Sequence, residues 1–305
     1  MHTPLRNRAR GRWKSILPQL GIDPRYLTGK NGPCPLCPGG LDRWRFDNKR
    51  GDGTWICTHC GAGQGIALAL RYTRMPFREL AQRIERAMGD APPESLPPEQ
   101  PPEVRRARLN ALWRDSEPIR DGDAVDRWIV NRGIWLDAFP ACLRLAPRVR
   151  HSGPPVSWHP AMLAMVSDPT GRPATIHKTY LAADGTKAPV DRVRMFCPGS
   201  RPEGGAVRLA EHADQLGVAE GIETSLAAAQ IFGIPVWSAL DAGGLEKFIP
   251  PADVRRLVIL GDNDVNGRGQ QAAHTLAARL AGKVAIEVKI PDEPGTDWND
   301  RLLKA

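Results

Sequence analysis

The 305-residue sequence contains no run of eighteen apolar residues, and residues 1–12 are polar and arginine-rich. The first absence excludes a membrane-crossing helix, the second a secretory leader with an apolar centre. GxxxxGK[S/T] occurs nowhere, so no P-loop is expected. Lysine is scarce, 9 residues against 33 arginines, which a GC-rich genome explains as readily as phosphate recognition. Tyrosine is scarcer still, with three residues, Tyr26, Tyr72 and Tyr180. Cysteine is limited to six, four of them in two close pairs, which is not the framework of a disulfide-built secreted domain at this length. These absences lead to the expectation of an intracellular chain with more than one domain.

Hydrophobic residues at 41% and charged residues at 25% are globular proportions. The net charge of +8 is unevenly spread. Residues 1–90 hold 16 basic and 7 acidic side chains, residues 91–205 hold 16 and 13, and residues 206–305 hold 10 and 14. A basic first third and an acidic last third suit a division in which one part holds a polyanion and another holds cations.

Residues 91–103, APPESLPPEQPPE, carry six prolines in thirteen and read as a semi-rigid spacer. Before them, Phe77, Leu80, Ile84 and Met88 recur at helical intervals. After them, residues 104–148 carry helical signals, and residues 161–181 read as two strands joined at Asp168-Pro169-Thr170-Gly171. From about residue 204, short apolar runs (LGVA, PVWSAL, RLVILG, VAIEVKI) alternate with helical stretches, the pattern of a parallel sheet with crossover helices. The expected fold is multi-domain α+β. It comprises a small antiparallel zinc-binding sheet (1–90), a linker (91–103), a middle α+β segment (104–205) and an α/β domain with a Rossmann-like parallel sheet (206–305).

Cys34-Pro-Leu-Cys37 and Cys57-Thr-His-Cys60 have the spacing of two knuckles that close four thiolates around one structural Zn²⁺. His59 has no coordination role in such a site, and Cys142 and Cys197 read as ordinary thiols. Between the pairs, Arg43, Trp44, Arg45, Lys49, Arg50 and Trp55 interleave cations with aromatics, as single-stranded nucleic-acid binders do. Period two sets Arg43 and Arg45 on one face and Trp44 and Phe46 on the other. Phe46 and at least one tryptophan are expected to fill the ribbon's own core.

In the last third, Glu220 ends one strand, and Asp262 and Asp264 follow another. Ligands of a parallel sheet bind at the carboxyl ends of its strands, so these acids can converge at one edge. Their hard oxygens suit Mg²⁺ or Mn²⁺ and metal-assisted phosphoryl transfer. Asp297 and Asp300 are further candidates for that edge, whereas Glu223 reads as a helix-cap or turn acid.

AEGIETSLAA and LVILGDNDVNGRG resemble the Toprim module of bacterial-type DNA primases, topoisomerases and related nucleases, whose signature is one Glu and a DxD pair. The preceding four-Cys ribbon with WRF between its pairs narrows the resemblance to primases. GPCPLC, DRWRF, GTWICTHCGAG, HPAM, SDPTGR, IHKTYL, KAPV and DWNDRL resemble the primases of phages and mobile elements. The likeness spans nearly the whole chain apart from the proline stretch and the extreme N-terminus.

The resemblance implies that the ribbon selects a single-stranded DNA template, while the middle segment and Toprim domain join ribonucleoside triphosphates into a primer. Glu220 matches the Toprim Glu, with metal-binding and acid–base roles, and Asp262 and Asp264 match the metal-binding pair. Lys178, Arg192 and Arg194 stand where the family places basic residues toward template or nucleotide phosphates. Arg194 departs from the pattern, because a Lys is expected there and the two are not interchangeable at a catalytic contact. A separate replicative helicase and a bacterial or phage-infected cytoplasm complete the expectation. The alternatives are a non-catalytic replication or recombination accessory protein and a Toprim nuclease. A topoisomerase is disfavoured because the three tyrosines lie outside any additional nucleophile domain.

Overall fold

The computed structural model describes residues 4–89, 94, 101–153, 155–197 and 201–304. The chain divides into two compact units, Met1–Gln100 and Pro101–Ala305. Most of the expected proline spacer lies outside the described residues. Glu94 within it is held by its own unit: its backbone N–H donates to Gly11 O, and its carboxylate pairs with Lys14 at 3.2 Å.

The first unit runs α1 (Leu5–Arg8), α2 (Trp13–Gln19), a 3-10 turn (Pro24–Leu27), β1 (Trp44–Phe46), a second 3-10 turn (Lys49–Gly51), β2 (Trp55–Cys57), β3 (Gly61–Gly63), α3 (Gly65–Thr73) and α4 (Phe77–Met88). The three strands are antiparallel in the order β1-β2-β3. Trp13, Trp44, Phe46, Trp55, Leu68, Leu80 and Ile84 fill one core. Gly65 is required there, because a Cβ on it would lie 2.2 Å from the Trp13 ring. α4 buries Leu80, Ile84, Ala87 and Met88 as one stripe. Phe77, expected on that stripe, is 55% exposed because it opens the helix at the rim.

The second unit begins with α5 (Pro102–Arg114) and α6 (Ala124–Val130). α5 starts inside the expected spacer, since the fixed φ of Pro102 suits a first helical turn. Four antiparallel strands follow in sheet order: β4 (Leu143–His151), β5 (Ser157–Ser167), β6 (Pro173–Tyr180) and β7 (Arg194–Phe196). Helical signals were expected through residue 148, but residues 143–151 form β4. Leu143 and Leu145 face the core while Arg148 and Arg150 are exposed, and the register shifts between Ala146 and Val149 around Pro147.

The remaining elements are β8 (Gln215–Ala219), α7 (Ile222–Phe232), β9 (Val236–Ser238), α8 (Ala242–Lys247), β10 (Arg256–Leu260), α9 (Arg268–Leu280), β11 (Ala285–Lys289) and α10 (Trp298–Leu303). The strands form a parallel sheet in the order β11-β10-β8-β9, as the alternating pattern predicts. α5 covers one face of the antiparallel sheet through Leu109, Leu112 and Trp113. α6 and α7 cover the other face through Trp128, Ile129 and Leu226. α7 also packs on the parallel sheet through Ala228, next to Val258 and Leu260. Its alanines and serine let one helix approach two sheets, which brings its first turn between them. Ala206 and Val207 link the two sheets, bridging Ser167 of β5 and Ser238 of β9 in turn.

Candidate active site and metal centres

The four cysteines of the first unit form a zinc-binding site. Their sulfurs all lie within 4.8 Å of one another, with Cys34 Sγ 3.5 Å from Cys60 Sγ and Cys37 Sγ 3.8 Å from Cys57 Sγ. β2 ends at Cys57 and the tight turn into β3 supplies Cys60, so the short sheet fixes one knuckle. His59 is exposed beside it. This quartet is the sole His/Cys/Asp/Glu group of such compactness among the described residues.

The ribbon's aromatics depart from the nucleic-acid reading. Trp44 is 1% and Trp55 2% exposed, their rings stack at 5.1 Å, and their indole N–H groups donate to Tyr26 O and Gln64 O. Both are core, packed with Phe46 and Trp13 because a sheet of three short strands buries little apolar surface without large side chains. Neither can stack a base as placed. Arg45 on β1 is half-buried between those core residues, and Arg43, which precedes the strand, is half-buried too. Arg43 lies against Gly39 and Gly40 of the first knuckle, Arg45 and Lys49 pair with Asp47 at 3.8 and 3.2 Å, and Arg50 is exposed.

In the second unit, Glu220 leaves the end of β8 and Asp262 the end of β10, adjacent strands in the sheet. Both line a cleft of about 340 Å³ with Asp297 and Asp300. Burial first, then the charges of Asp264 and Asp241, push Glu220 up to about 7. Burial, then Glu220, Asp297, Asp264 and Asp300, push Asp262 up to about 8. Glu220 Oε2 and Asp262 Oδ1 are buried without a hydrogen-bond partner. Orphaned, mutually repelling carboxylate oxygens are what a divalent cation would satisfy. The wider spread of these acids suits Mg²⁺, which takes few protein carboxylates and keeps waters and phosphate oxygens. Asp264 Oδ2 accepts from Gly269 N at 2.8 Å at the start of α9. Asp297 caps α10 in a reciprocal box with Asp300, and its Oδ2 accepts from Thr224 Oγ1 at 3.1 Å. Leu240, with φ +74°, also lines the cleft; this strained position precedes Asp241, the cap of α8.

Part of the cleft wall is cationic and was mostly unforeseen. Arg132 after α6, Lys187 in the loop before β7 and Arg194 on β7 line it, with His177 on β6. Glu223, expected as a cap or turn acid, is instead buried on this wall and accepts from both Trp128 Nε1 and Arg194 Nη2. Burial would raise its pKa, but Arg194 and Arg132 more than offset this and hold it below the usual range. His177 is pushed down to about 4, chiefly by burial, and its Nδ1 has no partner.

Lys178 does not join this wall. Alternation on β6 turns it to the α5 side, where it donates to Tyr180 Oη at 2.8 Å. Arg192 is exposed and away from the cleft lining, its carbonyl 3.2 Å from His151 Nε2. A further group had no sequence signal beyond alternation. Trp158 is 51% exposed, lies opposite Arg150 in the β4–β5 register, and carries the Arg148 guanidinium 4.8 Å over its ring.

Three families match the chain: a zinc-binding domain of primase-helicase over residues 29–66, a domain of unknown function (DUF7146) over 103–209, and a Toprim domain over 215–305. The chain therefore carries a primase-type zinc ribbon and a Toprim domain, the domain pair of phage-type primases. Similar solved structures include the zinc-binding and RNA polymerase domains of Aquifex aeolicus primase (16% identity, 99% of this chain and 83% of that one, TM-score 0.41). Others are the primase fragment of the bacteriophage T7 primase-helicase (17%, 90% and 97%, 0.38) and a DNA primase domain from Pseudomonas aeruginosa (12%, 66% and 74%, 0.44). Among the described residues no helix is long and apolar enough to cross a membrane.

Proposed function

We propose that the chain is a DNA primase that joins ribonucleoside triphosphates on single-stranded DNA by metal-dependent nucleotidyl transfer. The observation that carries this reading is the pair of unpartnered buried oxygens, Glu220 Oε2 and Asp262 Oδ1, in a cleft that Arg132, Lys187 and Arg194 also line. Glu220 and Asp262 would hold Mg²⁺ or Mn²⁺, with Asp264, Asp297 and Asp300 close enough to add charge. The ion, when bound, supplies Lewis-acid activation of a hydroxyl nucleophile and neutralises phosphate charge. Burial and the neighbouring acids hold Glu220 up to about 7 in the absence of a cation, so it would release its proton as the ion binds. Arg132, Lys187 and Arg194 line the same cleft as the acids, where they would bind and orient phosphates.

The division of labour follows the domains: residues 1–90 engage the template, and residues 104–205 with 206–305 form the polymerising core. On the ribbon, Arg43, Arg45, Lys49 and Arg50 would meet template phosphates, Arg45 and Lys49 by exchanging Asp47 for them. On the core, Arg148, Arg150 and Trp158 form a platform suited to a stacked base and its backbone. Pro160 O accepts from Leu181 N, and Leu181 bridges Lys187, which ties the strand carrying Trp158 to the loop carrying one cleft cation. Unwinding falls to a separate helicase in a bacterial or phage-infected cytoplasm. Primer synthesis from labelled ribonucleotides over a library of single-stranded templates tests the reading. Product that requires Mg²⁺ or Mn²⁺ and disappears in Asp262→Ala supports it. Strand cleavage without nucleotides would point to a nuclease, and strand binding without incorporation to an accessory protein.

A further inference from the structure

Glu223 stands apart from the acidic edge. It is 4% exposed, and both of its oxygens are committed: one accepts from Trp128 Nε1 at 3.0 Å, the other from Arg194 Nη2 at 2.9 Å. Arg132 lies over the Trp128 ring, so Glu223 organises one cleft cation directly and a second through the indole. A buried carboxylate is costly unless its partners stay in place, which makes this cluster rigid. Arg194 nevertheless remains 48% exposed. One N–H of its fork is anchored, and the others are left for the cleft. With Lys187, Arg194 and Arg132 are the cations of a lining that also holds Glu220, Asp262, Asp297 and Asp300. On the same wall His177 is 5% exposed with an unpartnered Nδ1, a polar atom left over for a ligand.

We propose that Glu223 is a positioning residue that presents Arg194 and Arg132 as the triphosphate-binding half of the cleft. The inference rests on the primase reading for the identity of the ligand, a nucleoside triphosphate. The anchored guanidinium meets the phosphates without first losing rotamer freedom, whereas an unanchored one would lose it on binding. Glu223 makes no contact with the reacting atoms and acts through Arg194.

The test is equilibrium binding of ATP to the full chain in EDTA, paired with steady-state incorporation where the wild type polymerises. Glu223→Gln and Arg194→Gln should each weaken ATP binding by about 10-fold, and the double variant should bind no more weakly than Arg194→Gln alone. In incorporation, the nucleotide KM should rise with kcat little changed. ATP binding by Glu223→Gln at the wild-type level, or losses that multiply in the double variant, would overturn the proposal. If Glu223→Gln does not fold, as judged by its thermal melt, Trp128→Phe removes one anchor and should weaken ATP binding severalfold; unchanged binding there overturns it equally. Wild-type protein that binds no ATP in EDTA also overturns it. Wild-type protein that binds ATP but makes no primer sinks the primase reading and leaves this test readable.

Discussion

The backbone N–H of Gly269 donates to Asp264 Oδ2 at 2.8 Å, and a Cβ on Gly269 would lie 2.6 Å from Asp262 O. The first turn of α9 is thus pressed against the loop that carries two of the candidate metal ligands. Gly269→Ala should shift that loop, raise the Mg²⁺ concentration needed for half-maximal activity by about 10-fold or more, and cost about 1–3 kcal/mol of stability. Metal titration and thermal melting check both effects, and wild-type values in each would show that the close approach is relieved without consequence.

Removing the central carboxylate is more severe. Asp262→Ala or Glu220→Gln should lower nucleotide incorporation by about 10³-fold or more, since several kcal/mol of charge stabilisation disappears. Zinc content should stay at one ion per chain, because the cysteine site belongs to the other unit. Elemental analysis beside the activity assay separates the two metals.

The raised carboxylates also fix the sign of a pH effect. Glu220 and Asp262, at about 7 and 8 when folded, ionise in the unfolded chain near the ordinary 4.5 and 3.8. The folded state therefore holds more protons across that interval. Metal-free stability should fall as pH rises from about 4 to about 8 and level off above. Asp262→Asn should flatten the slope and raise the metal-free Tm at pH 8.5, by about 2–4 °C per kcal/mol of repulsion relieved. Mg²⁺ should restore the wild type at that pH, and more Mg²⁺ should be needed at lower pH. A stability that rises over this interval in the wild type but not in Asp262→Asn would contradict this origin.

Zinc removal should act on one unit. Cys57→Ser, or treatment with a strong chelator, should unfold residues 1–89 while the second unit keeps its melting transition. Structural zinc contributes about 10–16 kcal/mol of binding free energy as folding free energy in small zinc domains. Calorimetry with and without chelator would show one transition lost and one retained.

Trp158→Ala should weaken single-strand binding by about 1–3 kcal/mol, and Arg148→Ala should reduce the salt slope by about 1. Fluorescence anisotropy with a labelled oligonucleotide at several salt concentrations reads both. Affinity and slope equal to wild type would remove the platform from the template path.

Much of this organisation is local and so is written in the sequence. CPLC and CTHC carry their own knuckle geometry, and apolar runs ending in Glu220 and Asp262 mark the carboxyl ends of parallel strands. The alternation of strand and helix in the last hundred residues leaves few topologies other than the one observed. The cationic wall has no such signature. Arg132, Lys187, Arg194 and Glu223 come from a helix end, a loop, an edge strand and a second helix, and apart from Arg194, which the family resemblance marks, each alone looks like any surface charge. Alternation did not rescue Lys178, whose side is set by which face of β6 the helix α5 covers. Nor could it settle Trp44 and Trp55, since the same interleaved pattern serves a stacking surface or a core. Sequence by itself determined the chain's domains' chemistry: thiolates at knuckle spacing in one unit and hard oxygens at strand ends in the other. Only the tertiary structure decided which cations face those oxygens, because that depends on α7 packing against two sheets at once and carrying Glu223 into the gap between them.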